Sequence, residues 1–378
     1  MALVLNEEQQ LLKESAEGFL AEKAPVSQLR KLRDDADETG FSKELWTEMS
    51  EMGFAGLLVD EEQGGTGFGY MGAGIVAEAM GKTLSASPFM ASSVVAASVI
   101  KAAGSDAQKE ELLPAIAAGE IIVTLAVDET SRHAPEETAL KAEKSGDGYK
   151  LSGLKTFVPE GHVADKIIVL ARTSGEAGDT EGLSLFLVDR GASGLIVDRT
   201  VSVDSRNWAK LTFEGVSVGA SALLGREGKA FGALDEALDR ARIVVAAELL
   251  GIAQHCFDET VEYLKERKQF GVPIGSFQAL QHRAAQLYSE IEVTRSAVLK
   301  ALQAADAGGN VAWFASLAKA KASKTAELAT NEAIQMHGGI GMTDEFDMGF
   351  YIKRARVLQH LYGDFNYHAD RFARCSGY

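Results

Sequence analysis

The sequence predicts an α+β chain in three parts: an N-terminal α-helical domain (1–119), a middle β-domain (120–225) and a C-terminal four-helix-bundle-like domain (226–378). Three observations carry this. Apolar residues recur at helical spacing to about Ala118, short runs rich in Val, Ile and Leu follow, and helical spacing returns beyond Gly225. Helices, then strands, then helices excludes the strand-helix alternation of a doubly wound sheet. At 378 residues the chain can hold two or three domains, since single cores rarely grow beyond ~250 residues.

In the first part Leu11, Leu12, Ser15 and Phe19 set the helical spacing, which breaks at 60–69 and around Gly104. The apolar stretch at 88–100 is too short, and too rich in Ala and Ser, to span a membrane. Strands are expected at 121–127, 167–170, 183–188 and 195–197, divided by Gly, Asp and Ser clusters. In the last part Leu234, Leu238, Ala241, Val245, Leu249 and Ile252 share one face of a helix that starts near Asp235. Helical spacing continues over 287–302 and 312–336, and the Ala-rich run 312–333 reads as a buried or interface helix whose small side chains permit close packing.

Acidic residues outnumber Lys and Arg by 54 to 38, a net charge of −16 that excludes an overall basic footprint for nucleic acid or an anionic membrane. A local basic cluster lies at 265–268. Cys256 and Cys375 stand far apart, without zinc or disulfide spacing, which suits a reducing compartment. The N-terminus MALVLNEEQQLLKESAEGFL has no basic start before an apolar run, so no transit peptide is expected and the reading is a soluble, cytoplasmic protein.

Two constellations could carry chemistry. Arg267-Lys268-Gln269-Phe270-Gly271, followed by Pro273, Ile274, Phe277 and Gln278, offers a planar guanidinium fork suited to phosphate beside a glycine that lets the chain turn. A basic helix C-terminus is the plainer meaning of that stretch. Gln335-Met336-His337-Gly338-Gly339-Ile340-Gly341 would let backbone N–H groups approach a phosphate closely, although glycines after a helix are more often a C-cap. His337, His360 and His368 fit no metal-ligand spacing, no acidic cluster completes one, and no Gly-x-Ser-x-Gly elbow occurs.

Taken together, these signals and the order of the three parts resemble the acyl-CoA dehydrogenase family over nearly the whole chain. The matching stretches are NEEQQLL (6–12), GFAGLLVDEEQGGTG (53–67), GLKTFVPEGHVAD (153–165), ARIVVAAELLGIAQ (241–254), ERKQFGVPIGSFQ (266–278) and QMHGGIG (335–341). The resemblance implies a dimer of dimers with FAD bound across a subunit interface. It also implies that Arg267, Phe270 and Gln278, with Gln335, Gly338 and Gly339, clasp the pyrophosphate and adenosine end of a neighbour's FAD. The implied reaction removes a proton beside a CoA thioester while hydride passes from the next carbon to flavin, with an electron-transferring flavoprotein as acceptor.

The family's base is usually the Glu of a Tyr-Glu-Gly-Thr motif, and the register set by Arg354 puts Tyr362, Gly363, Asp364 and Phe365 on those positions, so Gly363 takes the place of the base. A second base position, just before the arginine matched by Arg242, holds Ala241. The loop that contacts flavin and substrate reads DETSRHAPEET over 128–138, and only 155–158 remains of the strand that would back the flavin. The leading expectation is a non-catalytic subunit of an α2β2 acyl-CoA dehydrogenase, paired with a homologous catalytic subunit and an acyl-CoA substrate. The alternatives are a self-sufficient homotetramer with Asp364 as base, or a redox-inactive structural paralogue. Asp239 and Glu248 are further acidic candidates that helical spacing does not separate from packing roles.

Overall fold

A computed structural model describes residues 3–378; Met1 and Ala2, which open the segment read for targeting, lie outside the described residues. Helices α1 (Glu7–Lys23), α2 (Val26–Asp34), α3 (Lys43–Glu51), α4 (Gly69–Thr83), α5 (Ala97–Ala103) and α6 (Asp106–Ala117) precede the strands. Strands β1 (Val123–Ala126), β2 (Lys141–Ser145), β3 (Gly148–Pro159), β4 (Lys166–Arg172), β5 (Leu183–Asp189), β6 (Leu195–Val201), β7 (Asn207–Val218) and β8 (Leu223–Leu224) follow. Next come α7 (Phe231–Glu266), a hairpin of β9 (Lys268–Gln269) and β10 (Val272–Pro273), then α8 (Gln278–Ala307), α9 (Val311–His337), α10 (Met348–His360) and α11 (Phe365–Cys375). Helices, strands, helices is the expected α+β order. Among the described residues no helix is long and apolar enough to cross a membrane.

The chain forms two compact units, one of Met1–Lys31, Tyr70–Ser85 and Arg242–Tyr378, the other of Leu32–Gly69 and Ala86–Ala241. The second unit holds an eight-stranded sheet in the order β6-β7-β3-β2-β4-β5-β8, with β1 pairing β4. Its core includes Leu151, Ile167, Val169, Phe186, Leu211, Phe213 and Val216. The four expected strand runs appear as β1, β4, β5 and β6, and the strand that the resemblance places at 155–158 lies in β3, whereas β2, β7 and β8 have no counterpart among the expectations. Strands β3 and β7 pair antiparallel over most of their length although β3 carries glycines and a terminal proline. The apolar stretch at 88–100 forms a π-helix over Phe89–Ala96, buried throughout, before α5.

In the first unit, α1 starts with a capping box, the Asn6 side chain accepting from the Gln9 backbone N–H and the Gln9 side chain accepting from the Asn6 N–H. The buried face of α1 carries Ala16 and Leu20, while Leu11 is exposed, so the face differs from the one drawn through Leu11. Helix α7 starts at Phe231, earlier than Asp235, and every residue over 241–253 is buried rather than one stripe, as befits a helix surrounded by others. Helix α9 buries Ala315, Ala318, Ala322, Ala326, Ala329 and Ala333, as small residues at helical spacing suggest.

Glycines bring α4 and α7 into backbone contact. A Cβ on Gly81 would lie 2.2 Å from the Glu248 carbonyl oxygen, and one on Gly251 would lie 2.0 Å from that of Glu78. The same turns are tied outward: Arg295 on α8 reaches Glu78 at 2.8 Å, and Arg354 on α10 reaches Glu248 at 2.8 Å. Because backbone rather than a flexible side chain blocks the space, Gly251→Ala forces the helices apart. It is expected to lower unfolding free energy by about 1–3 kcal/mol or more in a denaturant titration.

Candidate functional site

Both cofactor-like segments lie in the helical unit. The α7 chain leaves its helix at Arg267, whose N–H donates to the Tyr263 carbonyl at 2.9 Å, and enters the β9–β10 hairpin. The two turn residues, Phe270 and Gly271, have φ of +52° and +81°, the mirror-image geometry a two-residue hairpin favours. That conformation suits glycine and strains a phenylalanine. Phe270 is nevertheless 91% exposed, its ring edge-on to Phe277 at 6.1 Å between centroids, so the strain holds an aromatic face in the open. Gln278 begins α8, whose N-terminus has no side-chain cap.

The glycine segment follows α9. Gln335, Gly338 and Gly339 are exposed. Gly338, at φ +66°, is the helix C-cap and needs its glycine for that reason. Gly339 has neither a positive φ nor any atom within 4 Å of where a Cβ would stand, so nothing inside this chain requires it to be glycine. Tyr263 and His337 join the two segments, their rings 4.4 Å apart, and His337 also packs against Phe346 at 4.6 Å. Farther along, Arg283 on α8 and Glu332 on α9 form a bidentate pair at 2.5 and 3.0 Å. Arg267, Phe270, Gln278, Gln335, Gly338 and Gly339 thus lie on segments that meet at one end of the helical unit.

The other end carries the tail. Arg242, fully buried on α7, donates from Nε to the Tyr362 carbonyl and from Nη2 to the Tyr367 hydroxyl, each at 3.0 Å. Lys319, fully buried on α9, donates to the carbonyls of Gln359 at 3.1 Å and Gly363 at 3.0 Å. The Asp364 carboxylate accepts from the Tyr367 backbone N–H at 2.8 Å and caps α11. Glu248 is held by Arg354, Asp239 is buried, and Ala241 is fully buried. Lys319 lies within the Ala-rich run, and its phase with buried Ala315, Ala322 and Ala326 is the sequence signal of its burial.

In the β-sheet unit the segment 128–138 engages Asp128, Glu129 and His133 in internal contacts, while Thr130, Ser131, Arg132 and Glu137 are exposed. Asp128 faces His133 at 2.9 Å. Glu129 accepts from the N–H groups of Ala139 and Leu140 and from the fully buried Lys155 Nζ at 2.8 Å. Burial lowers the Lys155 ammonium to about 8 against the pull of Glu129. Phe157 sits at φ +51° on a bulge in β3, between Lys155 and Val158, and is 55% exposed. It is an aromatic presented outward rather than an ordinary strand residue.

Burial, reinforced by Arg242 and opposed by Asp364, lowers Lys319 to about 7 from its ordinary 10.5. The folded pKa lies below the unfolded one, so between roughly pH 7 and 10.5 the unfolded state binds more protons and this residue's contribution to stability rises with pH. Stability curves of the native chain and Lys319→Met are expected to diverge upward across that window, and parallel curves would contradict the assignment. The buried Cys256 thiol, pushed up by burial, affects both proteins alike above about pH 9.

Known proteins match this arrangement. Family profiles described as the N-terminal, middle and C-terminal domains of acyl-CoA dehydrogenase match residues 6–120, 128–216 and 228–376 in turn. A probable acyl-CoA dehydrogenase of Bacillus subtilis, YngJ, is 32% identical over 95% of this chain and 95% of its own. A solved variant of the Tcur3481-Tcur3483 steroid ACAD is 30% identical with a TM-score of 0.88, covering 98% of each chain. One chain of the ChsE4-ChsE5 complex from Mycobacterium tuberculosis is 25% identical with a TM-score of 0.90, covering 100% of this chain and 99% of that one. Three profiles in order, and a relative above 30% identity over nearly all its length, mean that the chain belongs to the acyl-CoA dehydrogenase family.

Proposed function

We propose that this chain is the non-catalytic subunit of an α2β2 acyl-CoA dehydrogenase and clasps the adenosine and pyrophosphate end of an FAD seated in a homologous catalytic partner. The observation that carries the reading is a set of residues unexplained by their own fold: Phe270 strained outward on its turn, and Gly339 glycine without internal need. The group fits them chemically. The Arg267 guanidinium suits a pyrophosphate, the Phe270 face suits an adenine ring, the uncapped α8 N-terminus offers N–H groups to an anion, and Gly338 and Gly339, without side chains, let it approach the backbone closely. When bound, FAD supplies the hydride acceptor for α,β-dehydrogenation of the thioester.

Neither base position offers a carboxylate, since Gly363 and Ala241 occupy them. Asp364 is one residue along, but its carboxylate is committed to capping α11, and a small misplacement of a catalytic group is costly. In the 128–138 segment Asp128, Glu129 and His133 are likewise committed to contacts within this chain. Similarity to a steroid ACAD and to a two-chain complex supports a paired assembly acting on a bulky acyl-CoA, with an electron-transferring flavoprotein as acceptor. The cytoplasm is the proposed compartment.

Native mass measurement with a flavin spectrum, on the chain alone and with its candidate partner, tests this. The pair is expected to hold FAD and oxidise acyl-CoA while the isolated chain does not; equal rates from the isolated chain would refute the proposal. Phe270→Ala or Arg267→Ala in this subunit should weaken FAD retention by the pair by roughly tenfold, the order expected for losing one stacking or charge-assisted contact. Asp364→Asn preserves the helix cap and is expected to leave turnover of the pair near its original value. Loss of turnover in that variant would favour Asp364 as base.

A further inference from the structure

We infer that Tyr367 closes the space vacated by the base, so the deficiency at position 363 is a filled pocket rather than a single missing carboxylate. The inference rests on the proposed reading of position 363 as the base position, and its evidence is steric. A Cβ on Gly363 would lie 2.4 Å from Tyr367 Cδ1, 3.0 Å from Tyr367 Cε1 and 2.9 Å from His368 Nε2. Heavy atoms do not approach this closely without something moving, and neither ring is free to move. Tyr367 is held by its hydroxyl on Arg242 at 3.0 Å, by that guanidinium over its ring at 5.3 Å and by its backbone N–H on Asp364 at 2.8 Å. His368 is fully buried, 5.1 Å from the Tyr367 ring.

The backbone is set to match. Gly363 has φ of +110° and Tyr362 φ of +56°, a turn secured by Lys319 on the Gly363 carbonyl and by Arg242 on the Tyr362 carbonyl. Any side chain at 363 meets both an unfavourable φ and the Tyr367 ring. Tyr367 is therefore a positioning residue that excludes a side chain from this spot, and one substitution at 363 cannot restore a carboxylate there.

A double-mutant cycle read by thermal unfolding of the full-length chain tests this. Gly363→Ala is expected to lower Tm on the order of 5 °C in the native background and no more than about half as much beside Tyr367→Ala, where the φ strain and the His368 contact remain. Tyr367→Phe keeps the ring and removes the Arg242 hydrogen bond, so the full penalty should persist there. Equal penalties in the native and Tyr367→Ala backgrounds would overturn the inference, as would relief by Tyr367→Phe as large as that by Tyr367→Ala. If Gly363→Ala does not accumulate as folded protein, its rescue by Tyr367→Ala shows the same coupling, and failure of rescue overturns it. Flavin, substrate and partner play no part in this readout, so failure here is distinguishable from failure of the subunit assignment.

Discussion

The backbone contact between α4 and α7 is the constraint on which the helical unit depends. Gly81 faces the Glu248 carbonyl and Gly251 faces the Glu78 carbonyl, so each helix supplies the glycine that the other's backbone requires. The glutamates on those turns are anchored to α8 through Arg295 and to α10 through Arg354. The Glu248–Arg354 pair is nearly inaccessible to solvent, and removing one partner of such a pair typically costs about 3–5 kcal/mol because the other charge is left buried. Distance between helices, identity of the small residues and placement of the charges are thus one condition, satisfied together.

That condition fixes α7 as the axis of everything functional in the unit. Its midsection is buried on all sides, so neither end can shift without disturbing the packing. Arg242 stands near one end of the buried stretch and Arg267 just past the helix terminus. At 1.5 Å rise per residue, the helical step from 242 to 266 spans roughly 36 Å. Arg242 holds the Tyr362 carbonyl and the Tyr367 hydroxyl of the tail, and Arg267 opens the β9–β10 hairpin. Two groups held so far apart on one rigid rod are suited to different cofactor molecules or different subunits. Altering the chemistry at one end need not disturb the other.

How much of this was legible in the sequence follows from which signals are local. The Arg267–Gly271 and Gln335–Gly341 segments are contiguous, and the exposure of Arg267–Gly271 and of Gln335, Gly338 and Gly339, with their meeting at one end, agrees with reading them together. Strands β1, β4, β5 and β6 were visible as apolar runs, whereas β3 and β7 are half-exposed and bulged, their pairing decided by each other rather than by their own composition. The strain at Phe270 was not legible, because φ depends on the hairpin register. Nor was the role of Tyr367, which reaches position 363 only once α11 has been capped by Asp364 and its hydroxyl has found Arg242.

The persistence of two buried cations beside a glycine also has a physical reason independent of catalysis. The α10–α11 connection turns within four residues, over 361–364, and the carbonyls of Gln359 in the last turn of α10 and of Tyr362 and Gly363 are directed at the interior. A buried carbonyl without a donor costs about 1–3 kcal/mol, and Lys319 and Arg242 supply donors to all three. Burial penalises the charge, which is why Lys319 falls to about 7, but truncating either side chain would exchange that penalty for orphaned carbonyls and a cavity. The cations therefore answer a demand of the turn, whatever residue occupies position 363. A pocket can lose its carboxylate and keep the charged groups around it, and those groups alone are no evidence that proton transfer occurs there.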